Sequence, residues 1–144
     1  MSQIIIGLDV KPNQYTSKDP LSFKILLNDN LHFDGAITAK THIDVVVPAS
    51  ESEHLLNMIM YGKTESHPTN ANIMIESIVI DDYAIFSSDG TYKDVLLSQI
   101  QYTHDHNGNS PIVTEEFTNM LGCNGELRCT ISTPLLFWLY DALA

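Results

Sequence analysis

Apolar side chains recur at every second position along most of the chain. Ile4 to Val10 is a β-branched apolar run, and Lys11-Pro12-Asn13 breaks it. Leu21 to Leu27 is a second run. Asn28-Asp29-Asn30 follows, and Asn and Asp tolerate the positive φ that tight hairpins require. Leu31 to Ile37 therefore reads as the returning strand, with Asp34-Gly35 as a bulge or kink. From Thr41 to Val47, Ile43, Val45 and Val47 share one face while His42, Asp44 and Val46 share the other. Pro48 ends that strand, and the acidic stretch Ser50 to Glu53 turns the chain.

His54 to Tyr61 sets Leu56, Met58 and Met60 against Leu55, Ile59 and Tyr61. Composition alone admits a short helix there, but the β-rich surroundings favour a strand. Ile73 to Ile80 is mostly apolar on both faces, the pattern of a central strand. Asp81-Asp82 predicts a corner, Tyr83 to Phe86 runs on, and Ser87 to Gly90 turns. Val95 to Tyr102 is the next extended segment, and His104 to Ser110 the most polar loop. Phe117 to Leu121 leads into a Gly122-to-Gly125 turn. Leu127, Cys129 and Ile131 then alternate with Arg128, Thr130 and Ser132. Pro134 suits the first turn of a helix, and Leu135, Leu136, Trp138, Leu139, Ala142 and Leu143 give it an apolar stripe. The pattern predicts an all-β chain: a β-sandwich or jelly roll of about eight or nine strands, closed by a short C-terminal helix.

With 144 residues and 44% apolar content, residues 1–144 form a single domain able to bury a core without disulfides or metal. The net charge is −11, from 18 acids against 7 bases, and the bases are scattered. Direct binding to nucleic acid or to an anionic membrane needs clustered Lys and Arg, so neither is expected. The plain meaning of the charge is solubility. A sharper one is an acidic inhibitor or DNA mimic, which would need acids spaced like phosphates. Cys123 and Cys129 flank a turn entering a strand, too far apart for a disulfide, and read as reduced. The amino terminus carries no basic segment before its apolar run, and no apolar run approaches the ~20 residues of a membrane span. Synthesis and folding in a cytoplasm are expected.

Signatures of catalysis are missing. There is no Gly-x-Ser-x-Gly elbow, no phosphate-cradling glycine loop and no His-Glu-x-x-His. Asp34, Glu76 and Asp81 are nominal glycosidase acids, but nothing selects them. The expectation is a protein that is not an enzyme and carries no obligatory cofactor. His104-Asp105-His106 is the candidate metal cluster, since alternate histidines at a strand end point the same way. A solvated polar loop is the plainer reading of it. Calcium is the ion that the loop residues Asp81, Asp82, Asp89, Asp105, Asn107 and Asn109 would suit, although all six are also ordinary turn formers. Tyr61, Tyr83, Tyr92 and Tyr102 are candidates for a glycan-binding platform, against the plainer role of packing. Trp138 reads as core.

Leu121-Gly-Cys-Asn-Gly125, followed by Leu127-x-Cys-x-Ile131-x-Thr-Pro134-x-x-x-Trp138-Leu, resembles the ending of small β-sandwich proteins of tailed bacteriophages. Tyr102-Thr-His-Asp105-His-Asn-Gly108 and Met60-Tyr-Gly-Lys-Thr64 are similar to other segments of the same proteins. The resemblance spans roughly Ile43 to Leu139. Cys123 and Glu126 stand where that pattern leads one to expect an aromatic.

The resemblance implies a jelly roll like that of carbohydrate-binding modules, in a non-catalytic structural or accessory protein of the virion, on capsid, neck or tail. It implies other virion proteins as partners, many copies or a homo-oligomer in the particle, and a cell-surface glycan as a further partner. Two other functions stand beside it: a calcium-dependent carbohydrate-binding protein, and the acidic inhibitor.

Overall fold

The computed structural model describes residues 4–16, 19–47, 53–80, 83–87, 100–105, 107–108, 111–116 and 120–132. The elements are β1 (Ile4–Pro12), a 3-10 turn (Gln14–Thr16), β2 (Ser22–Leu27), β3 (Asn30–Ala36), β4 (Thr41–Val47) and β5 (Glu53–Tyr61). They continue with β6 (Ile73–Ile80), β7 (Tyr83–Ser87), β8 (Ile100–His104), β9 (Val113–Glu116), β10 (Met120–Leu121) and β11 (Gly125–Ser132). Two antiparallel sheets result. One runs β10-β6-β1-β4, with β7 also on β6; the other runs β3-β2-β5-β11-β8-β9.

Eleven strands among the described residues exceed the eight or nine expected, because two short ones carry no apolar alternation. β9 pairs along β8, and β10 contributes two residues opposite Met74 and Ile73. Backbone pairing at a sheet edge asks little of side chains, so such strands leave little trace in sequence. The expected C-terminal helix and Trp138 lie outside the described residues. Among those described, no helix is long and apolar enough to cross a membrane.

The core is the space between the sheets. Ile6, Leu8 and Val10 of β1 and Val45 and Val47 of β4 face Phe23 and Ile25 of β2, Met58 and Met60 of β5, and Leu127 and Ile131 of β11. Each of these side chains is fully buried. Burial of a Leu, Ile or Met contributes about 1.5–3 kcal/mol, which makes this alternation the main source of the fold.

β6 departs from the sequence reading. Asp9 pairs with Ser77 while Val10 pairs with Ile75, so Glu76 is an extra residue in the ladder. The bulge shifts the phase of the strand. Ile73 and Ile75 face inward before it, Ile78 and Ile80 after it, and all four are buried. Two apolar faces in sequence are one apolar face in space.

At the β2–β3 turn, Asn28 and Asp29 take φ values of 50° and 67°, the left-handed pair that a two-residue hairpin needs. The expected bulge at Asp34-Gly35 is displaced. Those residues pair regularly with Lys24 and Phe23, and the irregularity falls at His32, between the partners of Ile25 and Leu26. Cys123 and Cys129 are not joined in a disulfide. Cys129 lies in the core, where burial pushes its pKa up to about 12.

Candidate functional site

Antiparallel pairing brings the ends of β1, β5, β8 and β10 and the starts of β6 and β11 to one end of the sandwich. The connections after β5, β8 and β10 meet there. Gly62, at φ +88°, turns the chain out of β5. The next residue is Lys63, and its side chain runs inward to 8% exposure. Its Nζ donates to the carbonyls of Thr69 at 2.9 Å, Ala71 at 2.8 Å and Gly122 at 2.7 Å. All three ammonium protons are thereby directed at backbone oxygens. Burial works against the charge and lowers the lysine's pKa, while the nearby Cys123 acts in the opposite direction.

Asn124 completes the joint. Its Oδ1 accepts the Lys63 N–H at 2.9 Å, and its Nδ2 donates to the Lys63 carbonyl at 2.8 Å. The Asn124 N–H donates to Asn107 Oδ1 at 2.8 Å, which ties in the β8–β9 loop. His67 anchors the other flank. Its Nδ1 accepts the Thr64 N–H at 3.0 Å, so its Nε2 carries the proton toward the Asp19 carbonyl at 3.1 Å. Around this frame lies a cleft of about 650 Å³, lined by Thr64, Glu65, His67, Thr69, Asn107 and Cys123 among others. Thr64, Glu65, Thr69 and Asn107 bring hydroxyl, carboxylate and amide groups to its wall, beside a larger share of apolar surface. A hollow of about 210 Å³ adjoins it, bounded by Thr103, Asp105, Ile112 and Asn124.

The site residues expected from sequence scatter around this frame. His104 is buried, with its ring 4.7 Å from that of Tyr102. Asp105 Oδ1 accepts the Gly108 N–H at 2.8 Å, as a turn former does. His106, Asn109, Asp81, Asp82, Asp89 and Tyr92 lie outside the described residues. Tyr83 is in β7, where only the backbone is described.

Tyr102 is turned into the molecule and is 6% exposed, so its ring face offers no platform to solvent. Its hydroxyl donates to the Cys123 carbonyl and accepts the Cys123 N–H at 3.0 Å, holding the β10–β11 turn. Tyr61 is the candidate aromatic at the surface, 37% exposed. Its hydroxyl donates to Asp34, and Lys24 Nζ lies 5.4 Å from its ring centre. The hydrogen bond to Asp34 raises the phenol's pKa. Asp34 therefore sits on the six-stranded sheet, whereas Glu76 pairs with Lys11 and Lys40 on the other one, at 3.8 and 3.7 Å. These two nominal acids do not face each other across any cleft.

One cluster is only half visible in the sequence pattern. On the outer face of the other sheet, His42 Nδ1 meets Asp9 Oδ1 at 2.7 Å and His42 Nε2 meets Asp44 Oδ1 at 2.8 Å. Ser77 Oγ donates to the other oxygen of Asp9 at 2.8 Å. His42-x-Asp44 is legible as two residues on one strand face, but Asp9 joins only through the β1–β4 register.

Among the described residues, the oxygen ligands that calcium requires are not gathered at the loop end. Among the described residues, no group of three or more His, Cys, Asp or Glu is arranged to hold a metal ion, and in the His42 cluster both ring nitrogens are taken by Asp9 and Asp44. Asp105, Asn107 and Asn124 direct side-chain oxygens at backbone N–H groups, and the converging carbonyls hold the lysine.

No family model matches the chain, and no curated protein matches it. Two solved structures of the carbohydrate-binding module vCBM60 do. One, in complex with galactobiose, has a TM-score of 0.53 and 11% identity, covering 88% of this chain and 99% of that one. The other, a selenomethionine form, has a TM-score of 0.54 and 11% identity, covering 88% of this chain and 89% of that one. It belongs to a circular-permutation link between two families of calcium-dependent carbohydrate-binding modules. Neither offers support for a phage particle as the setting. At this identity the likeness is one of fold alone: the chain shares the antiparallel β-sandwich of these two structures.

Proposed function

We propose that the protein is a non-catalytic carbohydrate-binding domain whose ligand enters the cleft at the loop end. The observation that carries the reading is the cleft of about 650 Å³, lined by Thr64, Glu65, Thr69 and Asn107 and set on the loop end of a fold like that of a carbohydrate-binding module. Sugar hydroxyls need paired donors and acceptors, and Thr64, Thr69, Glu65 and Asn107 supply both. The cleft is held by hydrogen bonds from three connections, so little ordering is needed on binding. The fold of the neighbours backs this reading better than a structural place in a virion.

A glycan array that includes galactobiose, probed with and without chelator, tests it. Binding of a defined oligosaccharide, weakened at least about tenfold by Thr69→Val or Asn107→Ala, is the expected result. An array without signal in either condition would refute it. The chelator arm also asks whether the calcium dependence described for the neighbours extends to this chain.

A further inference from the structure

Backbone carbonyls present their negative ends to whatever they surround, so three of them converge only around a donor or a cation. At this end of the sandwich the carbonyls of Thr69, Ala71 and Gly122 converge on one point from two segments remote in sequence. In a calcium site such oxygens would be joined by carboxylates, to a total of about six to eight ligands. Here no carboxylates assemble among the described residues. The point is filled by the Lys63 ammonium, whose three donors match three acceptors in number. The lysine is fixed from behind as well, because Asn124 clamps its own peptide groups.

We infer that Lys63 is the resident cation of the loop end, in the place a coordinated metal would take, and that it makes the cleft a metal-independent binding site. The part concerning ligand binding rests on the carbohydrate reading above. The part concerning cation identity does not. Lys63 is a positioning residue: its ammonium is spent on the carbonyls, and its effect on any ligand passes through the placement of Thr69, Gly122 and their neighbours.

The full chain tests this in three arms. Calcium is titrated into metal-stripped wild-type protein by calorimetry. Amide hydrogen exchange is compared between wild type and Lys63→Met, which keeps the apolar stem and removes the charge. The glycan array is read in chelator and in calcium. The expected results are no stoichiometric calcium binding, and exchange faster by about tenfold or more at Ala71, Asn72 and residues 122–124 in the variant. Core amides of β1 should be unchanged. Any glycan signal should be the same in chelator and in calcium.

Stoichiometric calcium binding by the wild type overturns the inference, as does unchanged exchange in Lys63→Met. If that variant does not fold, the wild-type calorimetry decides alone. An array without signal removes the carbohydrate reading and leaves the calorimetry and exchange arms standing.

Discussion

Asn124 holds Lys63 by both faces of its backbone, accepting from its N–H at 2.9 Å and donating to its carbonyl at 2.8 Å. A side chain thus does what a neighbouring strand would do, two residues after β5 has ended. Replacing it by Leu, similar in size and unable to bond, leaves both Lys63 groups without that partner. A net hydrogen bond is worth about 1 kcal/mol and an orphaned buried group somewhat more, so the expected loss is about 2–3 kcal/mol. Urea denaturation of Asn124→Leu measures it. A loss below about 0.5 kcal/mol would show that water replaces the clamp without penalty.

Gly125 and Gly122 bracket the same turn and answer differently to a methyl group. A Cβ on Gly125 would stand 2.5 Å from the Thr103 carbonyl oxygen, 2.8 Å from His104 Cβ and 3.0 Å from Tyr102 Cε1. The first obstacle is backbone and cannot swing aside. Gly125→Ala should destabilise by about 3 kcal/mol, in the range of overpacked cores. A methyl on Gly122 would meet nothing within 4 Å among the described residues, so Gly122→Ala should stay within about 0.5 kcal/mol. Thermal melts of the two variants side by side give the comparison, and equal shifts would contradict it.

His42 should tie part of the stability to pH. The hydrogen bond to Asp9, followed by that to Asp44, raises its pKa above the ordinary 6.5. A raised folded pKa stabilises fully below the unfolded value and loses that contribution as pH rises through the folded value. For Asp9, burial alone would raise the pKa, but the hydrogen bonds from His42 and Ser77 outweigh it and lower the group below 3.8. Its contribution is present above that ordinary value and disappears as pH falls through the lowered one. The cluster therefore helps most between the two ordinary values. His42 and Asp44 are exposed and Asp9 half-buried, so the effect should shrink with added salt. Titration of the His42 ring by NMR should place its pKa above 6.5, and Asp9→Asn should bring it back down. A ring titrating at the ordinary value in the wild type would contradict the geometry.

The sheet architecture is legible in the sequence wherever one face of a strand is buried and the ladder is regular. Ile43, Val45 and Val47 alternate in sequence and are buried in the structure, and Asn28-Asp29 turns as its chemistry requires. β6 reads as apolar on both faces because a bulge is invisible to a strict period of two. The edge strands β9 and β10 escape the pattern because backbone pairing carries no side-chain signature.

The loop end is legible in part. Asn124-Gly125 reads as a turn, but its glycine is required by crowding against Thr103, with no positive φ to demand it. Nothing in the sequence marks Lys63 as buried. A lone lysine after a strand ordinarily extends into water, and only the folded chain reveals three carbonyls waiting for it. Tyr102 carries the right chemistry for a sugar platform and the wrong orientation, since its hydroxyl is needed at the Cys123 backbone.

The extra residue in β6 bears on how this chain is matched with others. A relative without it would share one phase of the strand up to Glu76 and the opposite phase beyond. An ungapped comparison would then set Ile78 and Ile80 against outward positions of its counterpart, although the two interiors superpose. A single insertion of this kind conceals kinship from residue-by-residue matching while leaving the shape intact.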